Sequence, residues 1–429
     1  MVTIKGPRSA LTDFIQEEGI KIQKRKTKII HSTISIPRKK KKVARRSKPM
    51  EICNLDNSST ALEDIVLKKI DSEYWKYVMN DEQLERYASY LGRTRLMDDE
   101  KFKYFVSSCK YSLVIYDCSE IISYSILPSN LQKLCLYYCG QLGKLDLTEF
   151  TDLKELRVTG AYLLENFYLP STLNILDVTH CSRLNDDFIL QINDKFDELE
   201  ELKLSYCYGI SNNILLKCVV KRLFLCETRI TDFFLRNLNK SKNINSVKNN
   251  RVKRCDIKEI YDKIQITGIE YLSLKRCPNI SIKELEFDSI KYLDVEGIAC
   301  LKKLNLPSNV EFLNVSYCYN LNEISNIYKN NDFLIKHLNL GKIGNIKKIE
   351  KIFKWKNIKD LDLSWCEQVD DKFIEILIKE LPLLERVYVF GCFNLTEKIG
   401  RMAWEIKNSI KIIGNPAETT YLLNRVFDD

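Results

Sequence analysis

An α/β solenoid of short parallel strands is the fold class that this sequence predicts. Three observations support it: a twelve-residue pattern recurs along the chain, most copies begin 20 to 26 residues apart, and amphipathic helical stretches follow several of them. A single compact core rarely accommodates 429 residues, whereas an array that grows in one dimension does so readily.

Each copy of the pattern is apolar at positions 1, 4, 6 and 12 and often has Cys at position 9, as in LQKLCLYYCGQL and VEFLNVSYCYNL. Positions 4 and 6 are expected to point inward from a strand, and position 9 to turn inward where the strand ends. This is the leucine-rich-repeat pattern in its cysteine form. A gap of 49 residues predicts a degenerate copy around residues 244–252, so we expect about 12–13 repeats. The clear copies begin at Lys110, Leu131, Leu153, Leu173, Leu199, Val220, Ile269, Ile290, Val310, Ile335, Ile358 and Leu384.

The connections between strands are of two kinds. Apolar residues recur at helical spacing in segments 183–192, 229–238 and 368–381, and an Asp near the start of each is expected to cap the first turn. Pro128 and Pro307 predict short extended connections elsewhere. We therefore expect parallel strands on a concave face and helices or turns on the convex face.

Four segments follow from these patterns. Residues 1–55 are expected to form a disordered basic tail, 56–108 a helical cap, 109–414 the solenoid, closed near Ile410 to Ile413, and 415–429 a C-terminal tail. No apolar run approaches the length of a membrane span and no secretory signal is present, which predicts a soluble intracellular protein.

Cysteine usage follows the repeat. There is no Cys-x-x-Cys pair, so neither zinc nor a disulfide framework is expected, and no metal ligands are predicted. Eight of the 15 cysteines occupy position 9 and are expected to be buried, reduced packing residues: Cys118, Cys139, Cys181, Cys207, Cys277, Cys318, Cys366 and Cys392.

Positive charge is concentrated in the tail. Residues 1–49 hold 15 basic and three acidic residues, which leaves residues 50–429 with a net charge of −3. Two basic runs, residues 21–28 and 38–48, predict nuclear import, a phosphate-binding arm for DNA, or both. The second run contains Arg38, Lys39, Lys40, Lys41, Lys42, Arg45, Arg46 and Lys48.

No catalytic constellation stands out. The chain has three histidines, no Gly-rich phosphate loop and no Walker lysine. His180 precedes Cys181, but Cys181 holds position 9, where a buried thiol is inert. We expect a binding protein that is not an enzyme and has no cofactor or small-molecule substrate.

The contact surface is expected at positions 3, 5, 7 and 8, which should be exposed on the concave face. Aromatic side chains there predict a ladder that binds a protein or stacks unpaired bases, although stacked rings can also simply stabilise a sheet. Position 5 beside the ladder is not basic, which favours a protein partner. The candidate residues are Tyr271, Tyr292, Phe312 and His337 at position 3, with Tyr317 and Trp365 at position 8.

The amino-terminal segment GPRSALTDFI, closing with EEGI, resembles the docking motif of the fungal radiation-sensitivity protein seven family. That family supplies the leucine-rich-repeat subunit of the yeast global-genome nucleotide excision repair factor. RLMDD (95–99), IYDCSEIIS and VFGCFNLTEK (389–398) are similar as well, so the resemblance covers most of the chain. The motif residues are Gly6, Pro7, Ser9, Ala10, Leu11, Phe14, Gly19 and Ile20.

This resemblance implies a non-catalytic nuclear scaffold. Family members pair with a Snf-family DNA-translocating ATPase, bind damaged DNA or chromatin, and join elongin C and a cullin in a ubiquitin ligase. Leu62, Val66 and Ile70 have the spacing of the elongin-binding helix, but Val66 replaces its Cys and Ala61 its preferred Thr, so a plain capping helix stays an alternative. A second hypothesis is a leucine-rich-repeat substrate receptor of an SCF-like or cullin ligase unrelated to DNA repair.

Overall fold

The computed structural model describes residues 91, 99–108, 111–116, 126–210, 214–238, 262–328, 333–344 and 353–414. The chain divides into two units, Met1–Tyr87 and Ala88–Asp429, and all of these residues belong to the second. Among them, no helix is long and apolar enough to span a bilayer.

Short strands dominate the described part, with a few helices between them. In chain order the elements are α1 (Asp99–Ser108), β1 (Ser112–Tyr116), β2 (Lys133–Tyr137), β3 (Lys144–Asp146), β4 (Glu155–Thr159), β5 (Asn166–Tyr168), β6 (Ile175–Asp177), α2 (Asp186–Lys195), β7 (Glu198–Lys203), β8 (Val219–Phe224), α3 (Asp232–Arg236), β9 (Lys263–Ile266), β10 (Tyr271–Ser273), β11 (Glu284–Phe287), β12 (Tyr292–Asp294), β13 (Lys303–Leu306), β14 (Phe312–Asn314), β15 (Glu323–Asn326), β16 (His337–Asn339), β17 (Asp360–Asp362), α4 (Asp371–Glu380), β18 (Arg386–Tyr388), α5 (Ile399–Ile406) and β19 (Lys411–Ile413).

The main sheet confirms the predicted α/β solenoid. Within the described residues it has 13 parallel strands in the order β1-β2-β4-β6-β7-β8-β10-β12-β14-β16-β17-β18-β19. All twelve predicted copies supply one strand, in the predicted register, and β19 adds a strand at the predicted closure near Ile410 to Ile413. Positions 4 and 6 are buried along this sheet, for example Leu293 and Val295 on and after β12.

The degenerate copy predicted around residues 244–252 has no place in the main sheet, and that prediction is wrong. Strand β8 pairs directly with β10, with Arg222 opposite Tyr271, so no strand lies between them. Residues 244–252 themselves lie outside the described part of the chain. The next described strand, β9, belongs to a different sheet.

A second sheet replaces many of the helices or turns expected on the far side of the repeats. It has the strand order β15-β13-β11-β9, and β3 pairs with β5 in a smaller ladder. Most of these strands alternate buried residues with less buried ones, as in β11, where Leu285 and Phe287 are buried, whereas β13 also buries Asn305. The chain passes alternately through the main and second sheets from β9 to β16, and the core lies between their apolar faces.

The three predicted helices are present as α2, α3 and α4, but only one is capped as expected. Asp370 accepts a hydrogen bond from the Phe373 amide at 2.8 Å and caps α4. Asn185 rather than an Asp caps α2, by accepting from the Asp187 amide at 3.0 Å. Asp232, in the first turn of α3, accepts from Ser281 in the next repeat instead. The described residues around Pro128 (126–132) and around Pro307 are non-helical, as predicted.

Candidate functional site

The position-3 side chains of β10, β12 and β14 form a stacked aromatic row on the exposed face of the main sheet. Strand register brings Tyr271 opposite Tyr292 and Tyr292 opposite Phe312. The Tyr271 and Tyr292 ring centroids are 5.9 Å apart, and those of Tyr292 and Phe312 are 4.1 Å apart with only 8° between their planes. All three rings are partly buried, because each covers its neighbour's face. We call this row, together with His337, the ladder.

The ladder ends in a charged row. The Phe312 and His337 centroids are 6.4 Å apart and tilted by 38°. Beyond them, the Nδ1 of His337 lies 2.6 Å from an Asp360 carboxylate oxygen, and the Arg386 guanidinium makes two contacts with the same carboxylate. These hydrogen bonds lower the pKa of Asp360, Arg386 contributing most, so its carboxylate is ionised well below neutral pH.

Position 5 is not exposed along much of the sheet, contrary to the expectation from sequence. Asp294 and Asn314 are only 7% and 6% exposed. Their side-chain oxygens accept hydrogen bonds from the backbone amides of Glu296 and Ser316 at 3.1 Å, and so they cap the end of each strand. A side chain held in this way is a structural part of the turn, so the contact surface is narrower than predicted.

Position 8 forms a separate row along the carboxyl ends of the strands. Its residues have positive φ, among them Tyr317 at 59° and Trp365 at 63°. Their backbone amides donate hydrogen bonds to carbonyl oxygens of the next repeat at 2.7 to 2.9 Å. Tyr317 and Trp365, which the sequence grouped with the ladder, therefore belong to this second row. The Lys342 ammonium lies 5.5 Å from the centroid of the Tyr317 ring.

The same face is occupied by ion pairs in the earlier repeats. Arg157 contacts carboxylates of Glu155 at 2.6 Å, Asp177 at 3.4 Å and Glu201 at 3.1 Å. Lys203 lies between two of these acids, 3.8 Å from Asp177 and 3.3 Å from Glu201. Because each charge already faces an opposite one, this part of the sheet offers a phosphate or a carboxylate little net attraction.

The position-9 cysteines are buried as predicted wherever they are described, while Cys118 lies outside those residues. The Cys207 thiol donates to the Val178 carbonyl at 3.1 Å, and Cys318 donates to Val295 at 3.2 Å. Each thiol thereby joins its repeat to the preceding one. Burial raises the pKa of Cys207 and of Cys318 to about 12, so neither forms a nucleophilic thiolate at neutral pH.

His180 and Cys181 are not arranged as a base and a nucleophile. The Cys181 thiol points inward and donates to the Val158 carbonyl at 3.1 Å, and burial raises its pKa well above the ordinary value. The His180 ring instead stacks on Tyr206 with the centroids 4.0 Å apart, and burial lowers its pKa. Among the described residues, no group of three or more His, Cys, Asp or Glu side chains could hold a metal ion.

Three sets of predicted site residues lie outside the described part of the chain. They are the docking motif of residues 6–20, the basic run of residues 38–48, and the adaptor-binding residues Leu62, Val66 and Ile70.

Sequence reasoning missed the most exposed aromatic side chain of the last repeats. Phe393 is 79% exposed and packs edge-on against Trp365, with ring centroids 6.2 Å apart. It holds position 10, where Tyr162, Tyr208 and Tyr319 are also exposed. The recurrence of aromatic residues at a non-core position was the available signal.

Comparison with known proteins gives two relatives. Over 400 residues the chain is 23% identical to the DNA repair protein rhp7 of Schizosaccharomyces pombe, which covers 82% of this chain and 67% of that protein. Over 351 residues it is 26% identical to the DNA repair protein RAD7 of Saccharomyces cerevisiae, which covers 73% of this chain and 60% of that protein. No protein-family model matches the chain.

A crystal structure of a Rad7 and Elc1 complex in yeast also matches, at 16% identity over 86% of this chain and all of that chain. Its TM-score of 0.32 is too low to carry an argument about this protein. The resemblance predicted from the sequence is confirmed by the two relatives over most of the chain. The chain is homologous to the DNA repair proteins Rad7 and Rhp7.

Proposed function

We propose that this protein is a non-catalytic scaffold in nucleotide excision repair that helps to recognise damaged DNA in the nucleus. The observation that carries the proposal is the homology to two DNA repair proteins over 82% and 73% of the chain. The chain matches 67% and 60% of those relatives' own lengths, so their activities and partners come to it as part of the proposal.

The ladder is the surface on which the scaffold would hold a protein partner. Rings 4.1 Å apart and nearly parallel leave no room for a base between them, so only the ring edges and the Tyr hydroxyls face a partner. The position-5 side chains beside the rings are uncharged or acidic, namely Ser273, Asp294, Asn314 and Asn339. This composition disfavours a phosphate backbone and supports contact with protein.

The remaining partners follow from the family resemblance. The scaffold would pair with a Snf-family DNA-translocating ATPase and reach damaged DNA directly or through that complex. Rad7 itself forms a crystallised complex with Elc1. Because the chain is homologous in sequence to RAD7, we include elongin C among its partners, and a cullin would complete a ubiquitin ligase.

A genetic and biochemical experiment tests the proposal. Deleting the gene should sensitise cells to ultraviolet light, and the tagged full chain should recover a Snf-family ATPase from nuclear extract. A Tyr271→Ser and Phe312→Ser double variant should lose a protein partner that a matched variant, Tyr162→Ser and Tyr328→Ser, retains, since both of those tyrosines are exposed away from the ladder. Normal survival after irradiation, together with no ATPase recovered, would overturn the repair function.

The same deletion cells distinguish the repair scaffold from the second hypothesis, a ligase substrate receptor unrelated to repair. It expects elongin C or an equivalent adaptor to co-purify with the full chain, while survival after irradiation is normal. A Leu62→Asp variant that loses the adaptor but keeps ultraviolet resistance would favour this hypothesis over the repair scaffold.

A further inference from the structure

An exposed aromatic surface lies at the carboxyl ends of the last strands, apart from the ladder. We call it the rim patch and define it as Trp365, Phe390 and Phe393, which are 50%, 43% and 79% exposed. The three side chains lie on two consecutive repeats, and the rings of Trp365 and Phe393 contact each other with centroids 6.2 Å apart. Large aromatic side chains so exposed are of the kind that marks contact sites.

Two of these rings pack against the backbone of the following repeat. A Cβ added at Gly391 would lie 2.6 Å from Cδ2 of the Trp365 indole, and one added at Gly414 would lie 2.6 Å from Cγ of Phe390. Glycine is therefore what admits each ring against the main chain. Trp365 and Phe390 nevertheless stay 50% and 43% exposed, whereas the rings of the ladder are partly buried because they cover one another.

Two carboxylates in the repeat that carries Trp365, those of Asp362 and Glu367, face no cation among the described residues. Asp362 uses one oxygen to cap the Ser364 amide at 2.9 Å, and within the described residues no cation pairs with its carboxylate or with that of Glu367. The neighbouring Asp360 is already bound by Arg386. A nucleic-acid phosphate approaching this repeat would meet these carboxylates, so the charge disfavours single-stranded DNA.

Exposed aromatic rings and carboxylates that no described cation pairs with are together complementary to cationic side chains. The face of an indole or phenyl ring is the negative part of its quadrupole and attracts a guanidinium, with tryptophan the strongest of the side chains. We propose that the rim patch binds an arginine-containing segment of a partner protein, with guanidinium groups over Trp365 and Phe390 and with Asp362 and Glu367 as their counter-charges. The proposal deepens the scaffold role by giving one of its surfaces a partner chemistry, and it rests on that role.

A peptide titration tests this directly on the full chain. The probe is an acetylated and amidated ten-residue peptide of alternating arginine and glycine, and its control has every arginine replaced by citrulline, which keeps the shape and removes the charge. Binding is followed by isothermal titration calorimetry. We expect the arginine peptide to bind, and the citrulline peptide to bind at least about tenfold more weakly, as loss of both the cation–π and the ionic contacts implies.

Matched variants locate the site. Trp365→Leu should weaken arginine-peptide binding about tenfold, whereas Trp404→Leu, at a tryptophan that is 63% exposed on α5, should not. Two further variants keep the test valid if Trp365→Leu fails to fold. One is Phe393→Ser, whose side chain has little packing to lose, and the other is the double variant Asp362→Asn with Glu367→Gln. Asparagine keeps the cap on Ser364, as it does at position 5 of other repeats. Circular dichroism checks each fold.

Four results would overturn the proposal. The first is equal binding of the arginine and citrulline peptides, and the second is an equal effect of Trp365→Leu and Trp404→Leu on peptide binding. The third is that Trp365→Leu loses binding of the single-stranded DNA (dT)12 but keeps binding of the peptide. The fourth is a change in mass by light scattering that shows that the patch joins two copies of the chain. All of these assays use purified protein and read neither survival nor ATPase recovery. A failed peptide assay with normal repair would thus reject only the rim patch, and the reverse result would reject only the repair function.

Discussion

At the scale of the residue, two positions of the repeat have clear physical roles. Position 9 holds a buried residue, and where that residue is Cys its thiol can donate to the preceding repeat, as Cys207 does to Val178. In several repeats position 5 holds an Asp or Asn side chain that caps the strand end, as Asn314 does for Ser316. Both roles follow from unsatisfied backbone groups in a tightly wound coil.

The first prediction concerns the buried thiols. Cys207→Ala removes a fully buried sulfur and its hydrogen bond, so the free energy of unfolding should fall by about 1–2 kcal/mol. Cys300→Ala, at an exposed cysteine, is the control and should change it by less than about 0.5 kcal/mol. Urea denaturation measures both, and equal effects would contradict the packing role of position 9.

The second prediction concerns the buried carboxylate of Asp294, whose pKa is raised because burial penalises its charged form. An acid with a higher pKa in the folded than in the unfolded state binds more protons when folded, so its contribution to stability falls as pH rises through these pKa values. Asp294→Asn keeps the cap and removes the charge. It should therefore raise the free energy of unfolding at pH 7 by about 1 kcal/mol, and the gain should shrink toward pH 4.

Urea denaturation of the variant and the parent at several pH values checks this sign. Asn314→Asp is the converse control, because it places a carboxylate at the same position of the next repeat, where the side chain is 6% exposed. Asn314→Asp should lower the free energy of unfolding at pH 7, and it should lower it by a smaller amount at pH 4. A pH-independent gain for Asp294→Asn would show that burial of the charge is not the cause.

At the scale of the element, each strand is short and is completed by the turn that follows it. Position 8 adopts positive φ in the repeats, and its amide bonds to the next repeat, as from Trp365 to the Phe390 carbonyl at 2.7 Å. Nonglycine residues in this conformation cost free energy, and the hydrogen bonds between repeats offset that cost. The choice of glycine at position 8 of one repeat leaves room for a ring from the preceding repeat, as Gly391 does for Trp365.

The third prediction tests that choice. Gly391→Ala introduces a Cβ against the Trp365 ring at a residue with φ of +67°, so it should lower the free energy of unfolding by about 1–2 kcal/mol and displace the indole. Because the chain has four tryptophans, the fluorescence of Trp365 is obtained as the difference between spectra with and without Trp365→Leu, and a change in it reports the displacement. Urea denaturation measures the stability. Gly140→Ala is the control, since a Cβ there has no atom within 4 Å. Equal losses in both variants would contradict the account.

At the scale of the whole molecule, charge and contact surface are separated along the chain. The net charge of +12 in residues 1–49 contrasts with −3 in the remainder. In the described repeats, ion pairs around Arg157 and the partly buried ladder leave no broad basic surface. We therefore predict that most of any sequence-independent affinity for DNA resides in residues 1–49.

The fourth prediction follows from this separation. DNA affinity of the full chain should fall roughly a thousandfold between 50 and 200 mM salt, as expected when several phosphates are neutralised. Replacing the eight basic residues of 38–48 by glutamine should reduce both the affinity and its salt dependence. Fluorescence anisotropy on a labelled duplex measures both, with Lys→Gln substitutions at eight exposed lysines of the repeats as control. Unchanged binding in the tail variant would place the DNA contact elsewhere.

The repeat register could be predicted from sequence alone, because apolar residues recur at positions 4 and 6 of every predicted copy and Cys at position 9 of most of them. All twelve predicted strands, the three helices and the stacking of Tyr271, Tyr292 and Phe312 follow from that register and from the spacing of parallel strands. The homology to repair proteins was also visible, in the amino-terminal motif and the repeats together.

Only the tertiary structure decided what depends on neighbours distant in sequence. Direct pairing of β8 with β10 excluded a strand between them, although 49 residues separate the two repeats. The burial of Asp294 and the exposure of Trp365 and Phe390 likewise depend on the adjoining repeats, since a side chain's exposure is set by what packs over it. Sequence determined which residues recur at each position of the repeat, and packing between repeats determined which of them remain accessible to a partner.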